Sequence, residues 1–497
     1  MQEAEAALVM GIDLGTAGAR AVIASGGGDI VATARADLEC AADAMSGEQG
    51  VRHEQCPEAW WDAVRRAIRR ALRLAGPAAI HGHLRAVCVD ATSGTVLGVD
   101  GEGNAVTPAL MYNDARAVEE AGQLDTLARD SDNAAPRINA SFAAAKMLWV
   151  QRHLPEAFAA TRFFAHQADF ITGRLIGAIG ATDYSNALKS GFDLTTGSWA
   201  TWLDEHPQLR CRLPRVVAPG ERLGGIAEAV AGQLGLPVGL SVIAGVTDGA
   251  AAFLASGARR VGEDNTTLGT TLVFKRVADH HIQDPTGLLY CHKLPGGSWL
   301  PGAASNVGGD WIRKEFANAD LGHLDDAASE LLPVPYVAYP LQARGERFPF
   351  RSTAASAFCE PPATEPATRY AACLQGTAFV ERLGYEILDR ATGSLPSARR
   401  AVYATGGGSQ SDVWTQLRAD VSGRTYHRPD CHESAFGSAI LAAAAVVHGN
   451  LREASRAMVR IARTFHPDPA RHQAFGHLYE QFVILLKQRG FLTGSHP

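Results

Sequence analysis

Several short stretches put hydroxyl, carboxylate and glycine residues where chemistry could be done. The first is Met10-Gly11-Ile12-Asp13-Leu14-Gly15-Thr16-Ala17-Gly18-Ala19-Arg20. An apolar strand, Leu8 to Ile12, runs into Asp13, turns through Gly15, Thr16 and Gly18, and returns as a second strand, Ala21 to Ala24. The glycines permit a tight turn and leave backbone N–H groups uncovered. Uncovered N–H groups suit a polyphosphate, and a carboxylate beside them suits its Mg²⁺. An ordinary β-turn, with Asp13 capping it, has the same composition. Taken alone, this stretch leaves both readings open.

Two further clusters follow strands. Leu84 to Asp90 reads as a buried strand and leads into Ala91-Thr92-Ser93-Gly94-Thr95; Pro108 to Tyr112 leads into Asn113-Asp114-Ala115-Arg116. Small polar residues just beyond the C-terminal end of a strand are where α/β proteins place ligands, although a plain polar turn looks the same. Ser241 to Val246 reads as a strand entering Thr247-Asp248-Gly249, where Asp248 begins an Ala-rich helix. A carboxylate there is kept ionised by the helix dipole and can accept a proton, or it simply caps the helix. Thr266 to Phe274 reads as two short strands around a Gly-Thr turn, a weaker echo of the first hairpin. Ser305-Asn306-Val307-Gly308-Gly309-Asp310-Trp311 and Thr405-Gly406-Gly407-Gly408-Ser409-Gln410-Ser411 each introduce a helix through glycines.

The elements that must hold these stretches are α/β in character. A third strand is expected over Ile30 to Ala34, and mixed loop over residues 35–56. Pro57 opens a helix that stops at Gly76, with Trp61, Val64, Ile68, Leu72 and Ala75 on one stripe. Arg65, Arg66, Arg69, Arg70 and Arg73 read as its solvated face. Residues 117–160 are expected to be mostly helical, and Asp169 to Leu175 to be a helix ending in a turn. Residues 341–369 read as a long loop, Tyr370 to Arg390 as a helix, and Arg400 to Ala404 as a strand. Ser434 to Val447 reads as an Ala-rich helix that must pack closely, and the last forty or so residues as helical.

A chain of 497 residues exceeds one compact core, so two domains are expected. Apolar residues at 46% and charged ones at 20% describe an ordinary globular protein. The net charge of −6 gives no electrostatic footprint for nucleic acid or an anionic membrane. The start is acidic where a signal peptide is basic, and the longest apolar run, Ala439 to Val447, is too short for a membrane span. The eight cysteines contain no C-x-x-C pair, which argues for reduced thiols and a cytoplasmic protein. No stretch matches the Walker or Rossmann glycine patterns.

Two Gly-Thr hairpins, one early and one in mid-chain, followed by a glycine run at a strand-to-helix junction, form an unusual set. It resembles the actin/hexokinase-like ATPases and, within them, the FGGY carbohydrate kinases. The resemblance spans nearly the whole chain and includes Tyr112 to Arg116, Thr182 to Asn186, Gly245 to Ala250, Leu268 to Thr271 and Gly345-Glu346-Arg347-Phe348-Pro349. It implies an α/β fold of two ribonuclease H-like ATPase domains around a central cleft. Residues 1–255 would form the sugar-binding domain, 256–448 the ATP-binding domain, and 449–497 a helical segment packing on them.

By the same resemblance Asp248 is the catalytic base, taking the proton of the sugar hydroxyl that attacks the γ-phosphate. Asp13 holds Mg²⁺, and Asp13, Ser93 and Asp248 meet the sugar. Gly15, Thr16, Gly269 and Thr270 meet the phosphates of ATP. Gly406, Gly407, Gly408 and Ser411, with Gly308 and Gly309, meet the rest of the nucleotide. Xylulose kinases carry Ser-Gly-Gln-Met-His at the stretch occupied here by Thr92 to Val96, and glycerol kinases carry an Arg-Glu pair. This chain departs from both and looks more like the D-ribulose kinases of plant and cyanobacterial type. The expectation is therefore phosphorylation of D-ribulose to the 5-phosphate. The alternatives are a D-xylulose or sugar-alcohol kinase, or a non-catalytic sugar sensor on the same fold. The partner is a small sugar, with no nucleic acid or membrane, and the protein is a monomer or homodimer.

Overall fold

The computed structural model describes residues 6–39, 52–76, 80, 82–131, 137–393 and 400–492. Two compact units divide the chain. The first takes Met1–Ala255, Lys293–Gly296 and Glu433–Val459; the second takes Ser256–His292, Gly297–His432 and Arg460–Pro497. This departs from the expected division, because the chain returns to the first unit at Glu433 and leaves it again after Val459. Neither 256–448 nor 449–497 is a unit by itself.

The first unit is built on β1 (Leu8–Leu14), β2 (Gly18–Ser25), β3 (Ile30–Asp37), β4 (Leu84–Ala91), β5 (Arg222–Gly225) and β6 (Ser241–Ile243), in the sheet order β5-β6-β4-β1-β2-β3. β1, β2 and β3 form an antiparallel meander, while β4 lies parallel to β1 and β6 parallel to β4. Apolar residues fill β1 because both of its faces are covered. The helix Ser434–Ala443 crosses it so closely that a Cβ on Gly11 would lie 1.8 Å from the Ala435 carbonyl oxygen. Only glycine leaves room there.

In the second unit, β7 (Asp264–Leu268), β8 (Leu272–Arg276), β9 (Tyr290–Lys293), β10 (Trp299–Ser305), β11 (Ala401–Thr405), β12 (Thr425–Pro429) and β13 (Ile461–Phe465) are ordered β9-β10-β8-β7-β11-β12-β13. β7, β8 and β10 are antiparallel neighbours, and β11 and then β12 continue in parallel on the other side of β7. The core of the first unit is thus repeated: a three-stranded meander with parallel strands added beside its first strand. Both Gly-Thr turns occupy the same topological position, joining the first two strands of their meander.

Several elements differ from their sequence reading. The helix Pro57–Ala75 buries Trp60, Ala63, Val64, Ala67, Ile68 and Ala71, a stripe rotated by about one residue from the expected one. Its arginines are tethered at the surface, Arg66 to Asp62 and Glu39 and Arg70 to the Arg35 carbonyl. Of the loop expected over 35–56, residues 40–51 lie outside the described residues, and Glu54–Gln55 form a short strand. Residues 341–369 are not all loop: Phe358–Glu360 pairs with Val337–Tyr339, and the long helix already starts at Pro366, capped by the Glu365 carboxylate. The C-terminal part is not wholly helical either, since Ile461–Phe465 adds an edge strand before the helix Pro469–Gln488. Those five residues have no helical periodicity, and the open edge of β12 decides their conformation. Among the described residues no single helix is long and apolar enough to cross a membrane.

Candidate active site

Three carboxylates meet at the C-terminal ends of neighbouring strands in the first unit. Asp13, near the end of β1, is in register with Asp90 on β4 and with Arg20 on β2. Beyond β6 the chain passes so close to β4 that a Cβ on Gly245 would lie 1.8 Å from the Val89 carbonyl oxygen. That passage lets Thr247 bridge to Ala91, and Asp248 follows at once. The Thr247 carbonyl accepts the Ala250 and Ala251 N–H groups at the start of the helix Asp248–Ser256. Asp248 occupies the first helical position, with Oδ1 accepting the Gly249 N–H at 2.6 Å.

The charges interact strongly. Burial, and then the charge of Asp248, push the Asp13 carboxyl up to about 6, while Arg20 pulls the other way. Burial and then Asp13 push Asp90 well above the usual carboxylate range. Asp90 is fully buried; its Oδ2 accepts the Ser438 hydroxyl at 2.6 Å, and its Oδ1 finds no donor among the described residues. Contact between Asp90 and Asp13 therefore needs a shared proton or a cation.

The Thr247 N–H donates to the Ser185 hydroxyl, which donates in turn to Asp183 Oδ1. Asp183 caps the short helix Tyr184–Ala187. The backbone that presents Asp248 is thus tied to a second buried carboxylate.

The Thr92–Thr95 turn lies beyond β4, immediately after Ala91. Thr92 Oγ1 bonds Gln167 Oε1 at 2.6 Å and Thr95 Oγ1 at 2.7 Å, and Thr95 Oγ1 also accepts the Tyr112 N–H. Both threonine hydroxyls are engaged by the fold. Ser93 is half-buried, and of the three its hydroxyl alone has no partner among the described residues. The fully buried Lys146 braces this turn, its ammonium donating to the carbonyls of Gly94 (2.9 Å), Met111 (2.6 Å) and Ser141 (3.4 Å). Burial pulls Lys146 down to about 7, with Asp114 opposing.

In the second unit the glycine segments converge on the β7–β8 turn. The Gly309 N–H donates to the Gly269 carbonyl at 2.7 Å, and a Cβ on Gly308 would lie 2.4 Å from the Thr270 carbonyl oxygen. Gly406, with φ +83°, and Gly408 wrap Leu268, where added Cβ atoms would come within 2.5 Å of its backbone and side chain. Gly269 and Gly407 differ: a Cβ on Gly407 would meet nothing within 4 Å, and the same holds for Gly269. Thr270 is exposed. Ser411 is placed otherwise than expected. Its hydroxyl accepts the Trp414 N–H, capping the helix Asp412–Ser422, and donates to Asp325, so the fold engages it fully.

The models of the FGGY family of carbohydrate kinases match this chain over residues 8–255 for the N-terminal domain and 265–446 for the C-terminal domain. The chain belongs to the FGGY family of carbohydrate kinases. Among its relatives, xylulose kinase of Escherichia coli (strain K12) is 27% identical over 512 residues, covering 97% of this chain and 99% of that protein. Xylulose kinase of Streptomyces rubiginosus is 32% identical over 317 residues, 61% of this chain and 60% of the relative. The solved structure of xylulose kinase from Rhodospirillum rubrum superposes with a TM-score of 0.83 at 25% identity, covering 97% of this chain and 98% of that one. The protein is an ATP-dependent sugar kinase with a two-domain α/β FGGY fold.

ATP use is expected of an FGGY kinase, and the first unit has oxygen donors of the kind that suit a divalent cation accompanying it. Among the described residues Asp90 Oδ1 has no donor, and burial and then the charge of Asp248 raise Asp13, a pair of deficits that a hard cation relieves. Among the described residues no group of three His, Cys, Asp or Glu side chains is placed to hold a metal by itself. Mg²⁺ does not need one, since one or two carboxylates suffice when waters and phosphates complete its shell. Asp13 and Asp90 are the residues that would hold it, and it would neutralise charge on the transferring phosphoryl group.

The open glycines give a clean test of the nucleotide site. Gly407→Ala should leave the melting temperature nearly unchanged, because the new methyl meets nothing. If ATP lies against that backbone, KM for ATP should rise by roughly tenfold, with the KM for sugar unaltered. An unchanged KM for ATP would remove Gly407 from the site.

Proposed function

We propose that the chain transfers the γ-phosphoryl group of ATP to a hydroxyl of a pentulose, with D-xylulose the acceptor best supported. The observation that carries this is the likeness to xylulose kinases, several of which match along almost the full chain, that of E. coli among them. D-Ribulose, the acceptor expected from the sequence, becomes the second reading. It retains support in one feature, the Asp90-Ala91-Thr92-Ser93-Gly94-Thr95 turn, which lacks the Met-His of xylulose kinases.

In this reading Asp248 takes the proton of the attacking hydroxyl as the bond to phosphorus forms. Ser93, whose hydroxyl the fold leaves unengaged, bonds another sugar oxygen. Without a cation Asp90 shares a proton with Asp13; with one, both carboxylates turn to it. The Gly15 N–H donates to the Gly18 carbonyl and the Gly269 N–H to the Thr271 carbonyl, each at 3.0 Å, closing its own turn; at each hairpin the threonine, Thr16 or Thr270, is left as the group that meets phosphate.

A coupled ADP-release assay over D-xylulose, D-ribulose, other ketoses and polyols tests the reading. The expected result is sugar-dependent turnover with kcat/KM highest for D-xylulose. A higher value for D-ribulose would favour the second reading, and no sugar-dependent ADP release at all would sink both. Ser93→Ala should lower kcat/KM for the best sugar by about tenfold or more, from one lost hydrogen bond, at constant KM for ATP. An unaltered sugar profile would make the turn purely structural.

A further inference from the structure

Two lysines reach the Thr92–Thr95 turn, and they are used differently. Lys146 is fully buried and gives its ammonium donors to three carbonyls, so nothing remains for a ligand. Lys189 is half-buried and donates once, to the Ser93 carbonyl at 3.2 Å. An ammonium carries three donors, so among the described residues two of its N–H groups are unengaged. Its stem lies along the turn: a Cβ on Gly94 would be 3.0 Å from Lys189 Cδ and 3.5 Å from Nζ.

The surroundings place this ammonium at the reacting end of the unit. Burial draws Lys189 below the usual lysine range, and the charge that opposes this is Asp248. Lys189 therefore shares a neighbourhood with the candidate base while holding the backbone of the candidate sugar-binding serine.

Its own segment is anchored firmly. The adjacent Ser190 hydroxyl bonds His166 Nε2 at 2.7 Å, and His166 Nδ1 lies 2.8 Å from Asp169 Oδ2 and 2.9 Å from Thr182 Oγ1. This Ser-His-Asp chain has the order of a hydrolytic triad. All three side chains are buried, however, with no access for a substrate. It fixes the segment instead, so that the Lys189 ammonium is aimed rather than mobile.

We propose that Lys189 is a sugar-binding residue that sets acceptor specificity, donating to an oxygen of the ketose other than the hydroxyl presented to Asp248. This rests on the pentulose reading above and adds the group that orients the sugar. An uncharged polyhydroxylated ketose offers carbonyl and hydroxyl oxygens as acceptors for such a donor. Two fixed contacts, one to the proton-losing hydroxyl and one to a second oxygen, determine which hydroxyl is presented for transfer.

The test crosses the enzyme with its substrate. Lys189→Met keeps the apolar stem against Gly94 and removes the donor. Wild type and variant are assayed with the best sugar and with its series of monodeoxy and carbonyl-reduced analogues. A charge-assisted bond predicts a KM for the full sugar roughly 10- to 100-fold higher in Lys189→Met, with KM for ATP and the melting temperature nearly unchanged. One analogue should lose a similar factor in wild type yet suffer no additional loss in the variant.

Equal KM values, or parallel losses across the whole series in both enzymes, would overturn the proposal and leave Lys189 as a brace for Ser93. If Lys189→Met does not fold, Lys189→Gln, a neutral donor of shorter reach, must still alter the ranking of the analogues; a retained ranking overturns the proposal. Wild-type protein that releases no ADP with any ketose or polyol would instead remove the pentulose reading itself, and this inference with it.

Discussion

Asp248→Asn is expected to lower kcat by about 10²–10⁴-fold, the usual contribution of a positioned general base, with little change in melting temperature or KM for ATP. The amide keeps the size of the carboxylate and can still accept the Gly249 N–H, a bond of 2.6 Å in the native protein. The first bonds along the helix, from the Ala250 and Ala251 N–H groups to the Thr247 carbonyl, do not involve the Asp248 side chain at all. What the amide cannot do is take a proton. In a loose phosphoryl-transfer transition state most of the catalysis comes from positioning and charge stabilisation, yet the hydroxyl proton must still leave. Near-wild-type turnover in a stably folded Asp248→Asn protein would remove Asp248 as the base. A large loss of stability accompanying the loss of turnover would point to a structural role instead.

How far the sequence leads is visible in three residues of this site. Asp13 is legible because everything that marks it is local: an apolar strand, a glycine turn and a returning strand within a few residues. Asp248 is legible for the same reason, as the first polar group after a strand and before an Ala-rich helix. Asp90 is not, although Cys88-Val89-Asp90 repeats the pattern of Gly11-Ile12-Asp13, a signal that could have found it. In sequence it reads as the last residue of a buried strand. Its role comes from the parallel pairing of β4 with β1 and from Ser438, a partner 348 residues away.

The same non-local cause explains the domain boundary. The Ser434 helix is contiguous with the second unit in sequence, and only close contacts return it to the first. Gly11 against Ala435 is one, and Gly437 is another, where a Cβ would lie 1.9 Å from the Ala251 carbonyl oxygen. Close-packed glycine and alanine mark such a helix as buried but carry no address. Lys189 was hidden differently, because a lysine in a polar stretch reads as a solvated charge until the fold shows what its ammonium touches.

Asp13→Asn is expected to abolish most activity and, in metal-free buffer, to stabilise the protein. If Asp13 holds the cation, loss of its carboxylate removes charge stabilisation at the phosphoryl group, an effect on the order of 10²-fold or more in kcat. Stability moves the other way. The Asp13 carboxyl is raised from 3.8 in the unfolded chain to about 6 in the fold, by burial first and by Asp248 second. Between those two values the native state holds a proton that the unfolded state has released. Unfolding free energy therefore falls as pH rises through that window, and above about 6 the full penalty persists. A shift of this size corresponds to roughly 2–3 kcal/mol at about 1.4 kcal/mol per unit, an upper figure because Asp90 shares the titration. Asp13→Asn carries no such penalty, and its amide can still accept the proton held by Asp90. Melting curves of the two proteins in EDTA should thus nearly coincide at pH 4 and separate between pH 4 and 6, with the variant higher by several degrees at pH 7.5. Mg²⁺ with ADP should then raise the wild-type curve more than that of the variant. A variant less stable than wild type at pH 7.5 without metal would show that the Asp13 carboxylate serves the fold and that its charge is not held there for a ligand.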